Sequence, residues 1–155
     1  MKKTVIIYIL IIFVIFSAFI IYSQAASDNF WKSNLIQIDL PNKKSVRVKL
    51  AETIEEHQRG LSNIKDMQGF DGMLFRFKEA QQVSFWMNEM FFPLDIIYLN
   101  GNKEIAEIHE DMTPCLSTEV CQPIPSLKNN INYVLELDAG EARLNNLKIN
   151  QKLVW

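Results

Sequence analysis

Residues 84–102 read SFWMNEMFFPLDIIYLNGN. Leu94 to Leu99 is apolar on both faces apart from Asp95, the pattern of a central strand covered on two sides. Asn100-Gly101 follows and predicts a hairpin, because both residues tolerate positive φ. Pro93 sets the entry of the strand, since a proline cannot sit in its hydrogen-bonded middle. Upstream, Val83, Phe85 and Met87 alternate with Ser84 and Trp86, which predicts a second strand over 83–87. Asn88 to Phe92 is then the connection, and Asn88 and Glu89 are most simply turn residues.

Outward from this stretch the same period of two recurs. Ile36, Ile38 and Leu40 alternate with polar residues, as do Val46, Val48 and Leu50, and Pro41-Asn42-Lys43-Lys44 joins the two into a hairpin. Met73, Phe75 and Phe77 form another set, Ile105 to Ile108 the strand returning from Gly101, and Tyr133, Leu135 and Leu137 a further one. Lys152 to Trp155 is placed to close the sheet. Thr53-Ile54-Glu55-Glu56 is a capping box and Gly60 a helix stop. Asp138-Ala139-Gly140-Glu141 resembles a second capped start running toward Leu147. The expected fold is mainly β: about eight strands, mostly antiparallel, in a small β-sandwich or barrel with two short helices.

The amino terminus carries Lys2 and Lys3, then an apolar run from Thr4 to Tyr22, then the small residues around Ser23-Gln24-Ala25. That layout predicts a signal peptide over residues 1–25. The run is nearly long enough to span a bilayer, so an uncleaved membrane anchor competes with it. Both place the rest of the chain outside the cytoplasm, in the periplasm or cell envelope, with the lysines inside. A linker over 26–34 and a single domain over 35–155 follow. The chain is 48% hydrophobic and 22% charged, as one globular domain behind such a segment would be. Without Lys2 and Lys3, 14 basic residues face 18 acidic ones, which disfavours a nucleic-acid partner.

Cys115 and Cys121 are the two cysteines of the sequence. In an oxidising compartment this pair reads as a local disulfide that shapes one loop. The spacing is not that of a redox-active CxxC pair. His57 and His109 are the two histidines and fall in separate elements, so no metal site is expected. No serine elbow or phosphate loop is visible, and no cofactor is expected.

The order of motifs adds a resemblance. HQRGL at His57–Leu61, GMLFRF at Gly72–Phe77, FWMNEMFFPLDIIYL at Phe85–Leu99, PC with a second cysteine, and YVLELDAGEARLNNLKIN at Tyr133–Asn150 together resemble the domain of unknown function 192 family. The resemblance spans about Ile36 to Trp155. It implies a compact, β-rich, jelly-roll-like fold, frequent export, and no established catalytic activity. The chain departs from the family's pattern at Ser62, where a methionine is usual, and at Asn88-Glu89, where Lys-Asn is usual.

The candidate ligand-binding residues are Arg59, Trp86, Asn88 and Asp95. Asp95 shares a strand face with Ile97 and Leu99, and a buried carboxylate needs a partner. Arg59, at the end of the short helix, is the candidate, since an Arg fork holds a carboxylate in two parallel bonds. The pair either pins the helix to the sheet or lines a pocket with Trp86 and Asn88. Met73, Met87, Phe75 and Phe85 read as core, and Glu136, opposite Leu135 and Leu137, as solvated. The leading expectation is a non-catalytic envelope module that binds a small ligand, a glycan or an envelope protein, or acts as a membrane-held accessory. The alternative is a small hydrolase or lyase with Asp95 as general base, assisted by Arg59 or His109.

Overall fold

The computed structural model describes residues 2–32, 34–67, 69–115 and 120–155, and within the first helix the side chains of 7–22. The chain forms two compact units, Met1–Ser33 and Asn34–Trp155. The first is one helix, α1 (Lys2–Lys32). Residues 26–32, expected as linker, continue this helix, because nothing between Ala25 and Lys32 is a proline or glycine that would stop it. Ser33 lies outside the described residues. Among the described residues no helix is long and apolar enough to cross a membrane.

The second unit is mainly β. Its elements are β1 (Leu35–Asp39), β2 (Ser45–Ala51), α2 (Ile54–Arg59), β3 (Gly72–Gln81), β4 (Ser84–Phe85), β5 (Leu94–Leu99), β6 (Ile105–Met112), β7 (Ile124–Pro125), β8 (Ile131–Asp138) and α3 (Glu141–Leu144). Six strands form one mixed sheet in the order β1-β2-β3-β8-β5-β6. Only β2 and β3 run parallel in it, with Val48 opposite Gly72 and Ala51 opposite Phe75, and α2 lies in the crossover such a pair requires. β5 is interior and all six of its residues are buried, as its two-sided apolar pattern demands.

The sheet is an open ladder with β1 and β6 as its edges. Lys152–Trp155 does not add a strand. It reaches both edge regions through isolated bridges, Val154 to Asp39 and Lys152 to Glu104. The strand expected over 83–87 shrinks to β4, because its partner β7 is two residues long and Pro125 has no N–H for a longer ladder. In the loop after β5 the positive φ falls on Lys103 rather than on Asn100 or Gly101. Asn100 instead caps the loop with its side chain, accepting from the Asn102 and Glu104 amides at 2.9 and 3.0 Å.

The two faces of the sheet are covered differently. On one, Ile38, Val48, Leu74, Ile97 and Leu135 pack with Ala142 of α3 and with Leu147 and Leu153 beyond it. On the other, Met73, Glu136, Ile96 and His109 form one cross-strand row, continued by Lys49 on β2. Val83, Met87 and Ser126, beside β4 and β7, are buried against this side. Gly72 makes the strand spacing possible: a Cβ there would stand 2.0 Å from the Glu136 carbonyl oxygen.

Cys115 and Cys121 are joined in a disulfide, with Cα atoms 5.6 Å apart. Residues 116–119 inside its loop lie outside the described residues. The Cys115 amide donates to the Met87 carbonyl at 3.1 Å, so the bonded loop is tied to the connection after β4.

Candidate aromatic cleft

Asp95 is 0% exposed and faces α3, on the same side of the sheet as Ile97. Its two carboxylate oxygens accept from backbone amides, Asp111 N–H at 2.9 Å and Ala142 N–H at 2.8 Å. The expected fork from Arg59 is not what holds it. Arg59 is exposed and lines a cleft to which Asp95 does not contribute. The capped start expected at Asp138 is also supplied otherwise. Gly140 is the N-cap of α3 and makes no side-chain cap, and Asp95 reaches across from β5 to take the Ala142 amide. A carboxylate without solvent and with both oxygens bonded has no access to a reacting proton, which removes the general-base role considered for it. His109 could not assist it, because it lies in the row on the opposite face of the sheet.

The cleft that Arg59 does line has a volume of about 370 Å3. It lies between α2, the end of β3, β4 with the turn after it, and the middle of β8. The capping box on Thr53 holds the start of α2, with the Thr53 hydroxyl accepting from Glu56 N–H and the Glu56 carboxylate accepting from Thr53 N–H. One turn later His57 donates from Nε2 to the Ala51 carbonyl at 3.1 Å, which ties α2 to the end of β2. Gly60, at φ 49°, ends the helix against Phe75.

Rings make the walls. The His57 ring is 4.8 Å from Phe77 and 5.9 Å from Phe75, and Phe75 meets Phe85 edge-on at 4.9 Å. Behind the wall Phe85 meets Tyr98 at 6.2 Å, and Tyr98 meets His109 at 5.3 Å. Trp86 lines the mouth and is 56% exposed. Of the four candidates, then, the structure brings Arg59 and Trp86 to one cleft. It places Asp95 in the core, and Asn88 in the exposed turn, where its carbonyl accepts from Ser62 Oγ.

The residue the sequence reading missed is Glu136. It is 5% exposed rather than solvated, and it lines the cleft from β8. It forms no hydrogen bond or ion pair with another described residue. Burial pushes its pKa up to about 8, which favours the neutral carboxyl at pH 7. Tyr98, beside it, is raised too, by burial first and then by the charges of Glu107 and Glu136. Glu107 is satisfied: it holds His109 Nε2 with one oxygen and accepts Leu127 N–H at 2.9 Å with the other. A signal for Glu136 was present in the sequence. Met73, Phe75, Phe85 and Met87 are a second apolar set large enough to cover the face to which Glu136 belongs.

A comparison with curated proteins gives no match. Two solved structures are similar. One is a Sinorhizobium meliloti 1021 protein described as a candidate transcription regulator, 28% identical, with a TM-score of 0.66 over 76% of this chain and 89% of that one. The other is a Novosphingobium aromaticivorans DSM 12444 protein of unknown function, 24% identical, with a TM-score of 0.68 over 78% of this chain and 85% of that one. Residues 20–155 match a family of uncharacterised function and no assigned catalytic activity, and the chain belongs to that family, DUF192, described as "Uncharacterized ACR".

Proposed function

We propose that the Asn34–Trp155 unit is a non-catalytic module that binds a small ligand in the cleft beneath Trp86 and works in the cell envelope. The observation that carries this is a buried carboxyl, Glu136, at an aromatic-walled cleft of about 370 Å3. Apolar walls with a few convergent polar groups are the usual form of a small-ligand site. Export is supported by Lys2-Lys3 ahead of the apolar run and by the Cys115–Cys121 disulfide, which persists in oxidising compartments. The same run, retained, would tether the module to the inner membrane. The two edge bridges made by the last residues support reading the open sheet as a barrel-like, jelly-roll-like shell. The description of the Sinorhizobium protein is not carried over, because the excess of acidic residues outside the amino-terminal segment disfavours nucleic acid.

The test is an NMR titration of the isotope-labelled full-length protein with pooled envelope metabolites, amines and glycans. The indole of Trp86 and the carboxyl of Glu136 are expected to shift together, and Trp86→Ala to abolish binding with folding intact. Shifts confined to surfaces away from the cleft would overturn this reading.

A further inference from the structure

We infer that the cleft takes a small organic cation, an alkylammonium or quaternary ammonium group, countered by Glu136 and faced by the rings of Phe75, Phe77, Phe85 and Trp86. The inference rests on the cleft being a ligand site and adds the class of ligand. Three observations carry it. The first is that Glu136 is nine-tenths buried or more and makes no hydrogen bond or ion pair with another described residue. Once ionised, a carboxyl held in this way has no counter-charge in the cleft, and a cationic ligand can supply one.

The second is the surroundings. Ring faces carry negative potential and attract a cation within about 6 Å of the centroid. The uncharged hydrogen-bonding side chains of the cleft, such as Gln58, Gln81 and Ser84, are exposed at its rim. The buried end therefore offers a carboxyl and rings, which suits an ammonium group with an apolar skeleton better than a polyhydroxylated ligand.

The third is that the charged and titratable groups around Glu136 are held by other partners or sit at the exposed rim of its cleft. From α2, His57 donates to the Ala51 carbonyl and Arg59 is exposed at the rim. From β6, His109 is held by Glu107. From β2, the Lys49 ammonium lies 5.0 Å over the Phe70 ring. From β5, the Tyr98 phenol is bonded to the Ile124 carbonyl at 3.3 Å.

Binding then has a proton balance. Below about pH 8 the carboxyl holds a proton, which an arriving cation displaces to solvent as the carboxylate forms. The apparent affinity should rise about tenfold between pH 7 and pH 9, in step with the ionised fraction of Glu136. The experiment is calorimetric titration of the full-length protein with tetramethylammonium and butylammonium at both pH values, in buffers of differing ionisation enthalpy. tert-Butanol and glucose serve as neutral probes.

Release of nearly one proton per cation at pH 7, with the tenfold rise, is the expected result. Both are read on the unmutated chain, so they stand even if Glu136→Gln folds poorly. Where that variant folds, the pH step should vanish. A step that persists in it would belong to a group other than Glu136 and would overturn the inference. Equal binding of tert-butanol or glucose without proton release would overturn the cation while leaving the cleft a ligand site. No binding of any probe, with the Trp86 indole unmoved by the wider panel, would overturn both.

Discussion

Asp95 and Glu136 stand on neighbouring strands in adjacent register rows, Asp95 opposite Leu137 and Ile96 opposite Glu136, yet they face opposite layers of the protein. One is a carboxylate with both oxygens on backbone amides. The other lines an aromatic cleft without such bonds. The same chemical group thus serves structure on one face of the sheet and a candidate site on the other.

For Asp95 the expectation concerns stability. Asp95→Asn keeps the shape but replaces one accepting oxygen by an NH2 donor that faces a backbone N–H. It should lower unfolding stability by about 3 kcal/mol, because a buried donor is left unsatisfied. Urea denaturation measures this. An unchanged midpoint would mean that α3 and Asp111 do not depend on the carboxylate.

Glu136 makes stability depend on pH. Its pKa is about 8 folded against 4.5 for the free side chain, so the folded state holds the proton more tightly. The contribution is fully present below about pH 4.5, is lost as pH rises toward 8, and is flat above that. Each pH unit of that window costs about 1.4 kcal/mol, so the whole loss is on the order of 4 to 5 kcal/mol. Glu136→Gln should remove this slope in denaturation curves taken between pH 5 and pH 9.

Gly72→Ala places a methyl group on the β8 backbone at the Glu136 carbonyl, 2.0 Å from its ideal position. The strands must separate there, and the loss should be about 3 kcal/mol or more, as for overpacking in a core. Thermal melts check it. Movement of the Glu136 backbone resonances in the same variant would show that the cleft floor shifts with the strand.

Reduction of Cys115–Cys121, or replacement of both cysteines by serine, should cost about 2 kcal/mol on the chain-entropy model for so short a loop. The core of the sheet should survive, since no strand lies inside the described part of the loop. A melt with and without dithiothreitol, followed by circular dichroism, decides between local loosening and global unfolding.

Most of the strands were readable as patterns. Leu94–Leu99 is apolar on both sides and is buried on both sides. Thr53 and Glu56 form the capping box that their spacing foretold, and Gly60 ends that helix. The lining of the candidate cleft was readable in half. Arg59 and Trp86 share the cleft, but Asp95 was given the wrong partner and Glu136 the wrong environment. Alternation marks which residues share a face. It carries no information about what lies across from that face, and so it left Glu136 looking solvated.

The sequence by itself determined the local elements: strands from period two, α2 from its caps, a disulfide from the cysteine pair, and the family from the order of its motifs. These follow from interactions between residues close in the chain, or from composition. The tertiary structure alone decided the order of strands in the sheet, the hold of Asp111 and Ala142 on Asp95, and the meeting of Glu136 with rings from β3 and β4. Those outcomes depend on residues tens of positions apart coming together, and whether a carboxyl is charged or neutral depends on the packing that results.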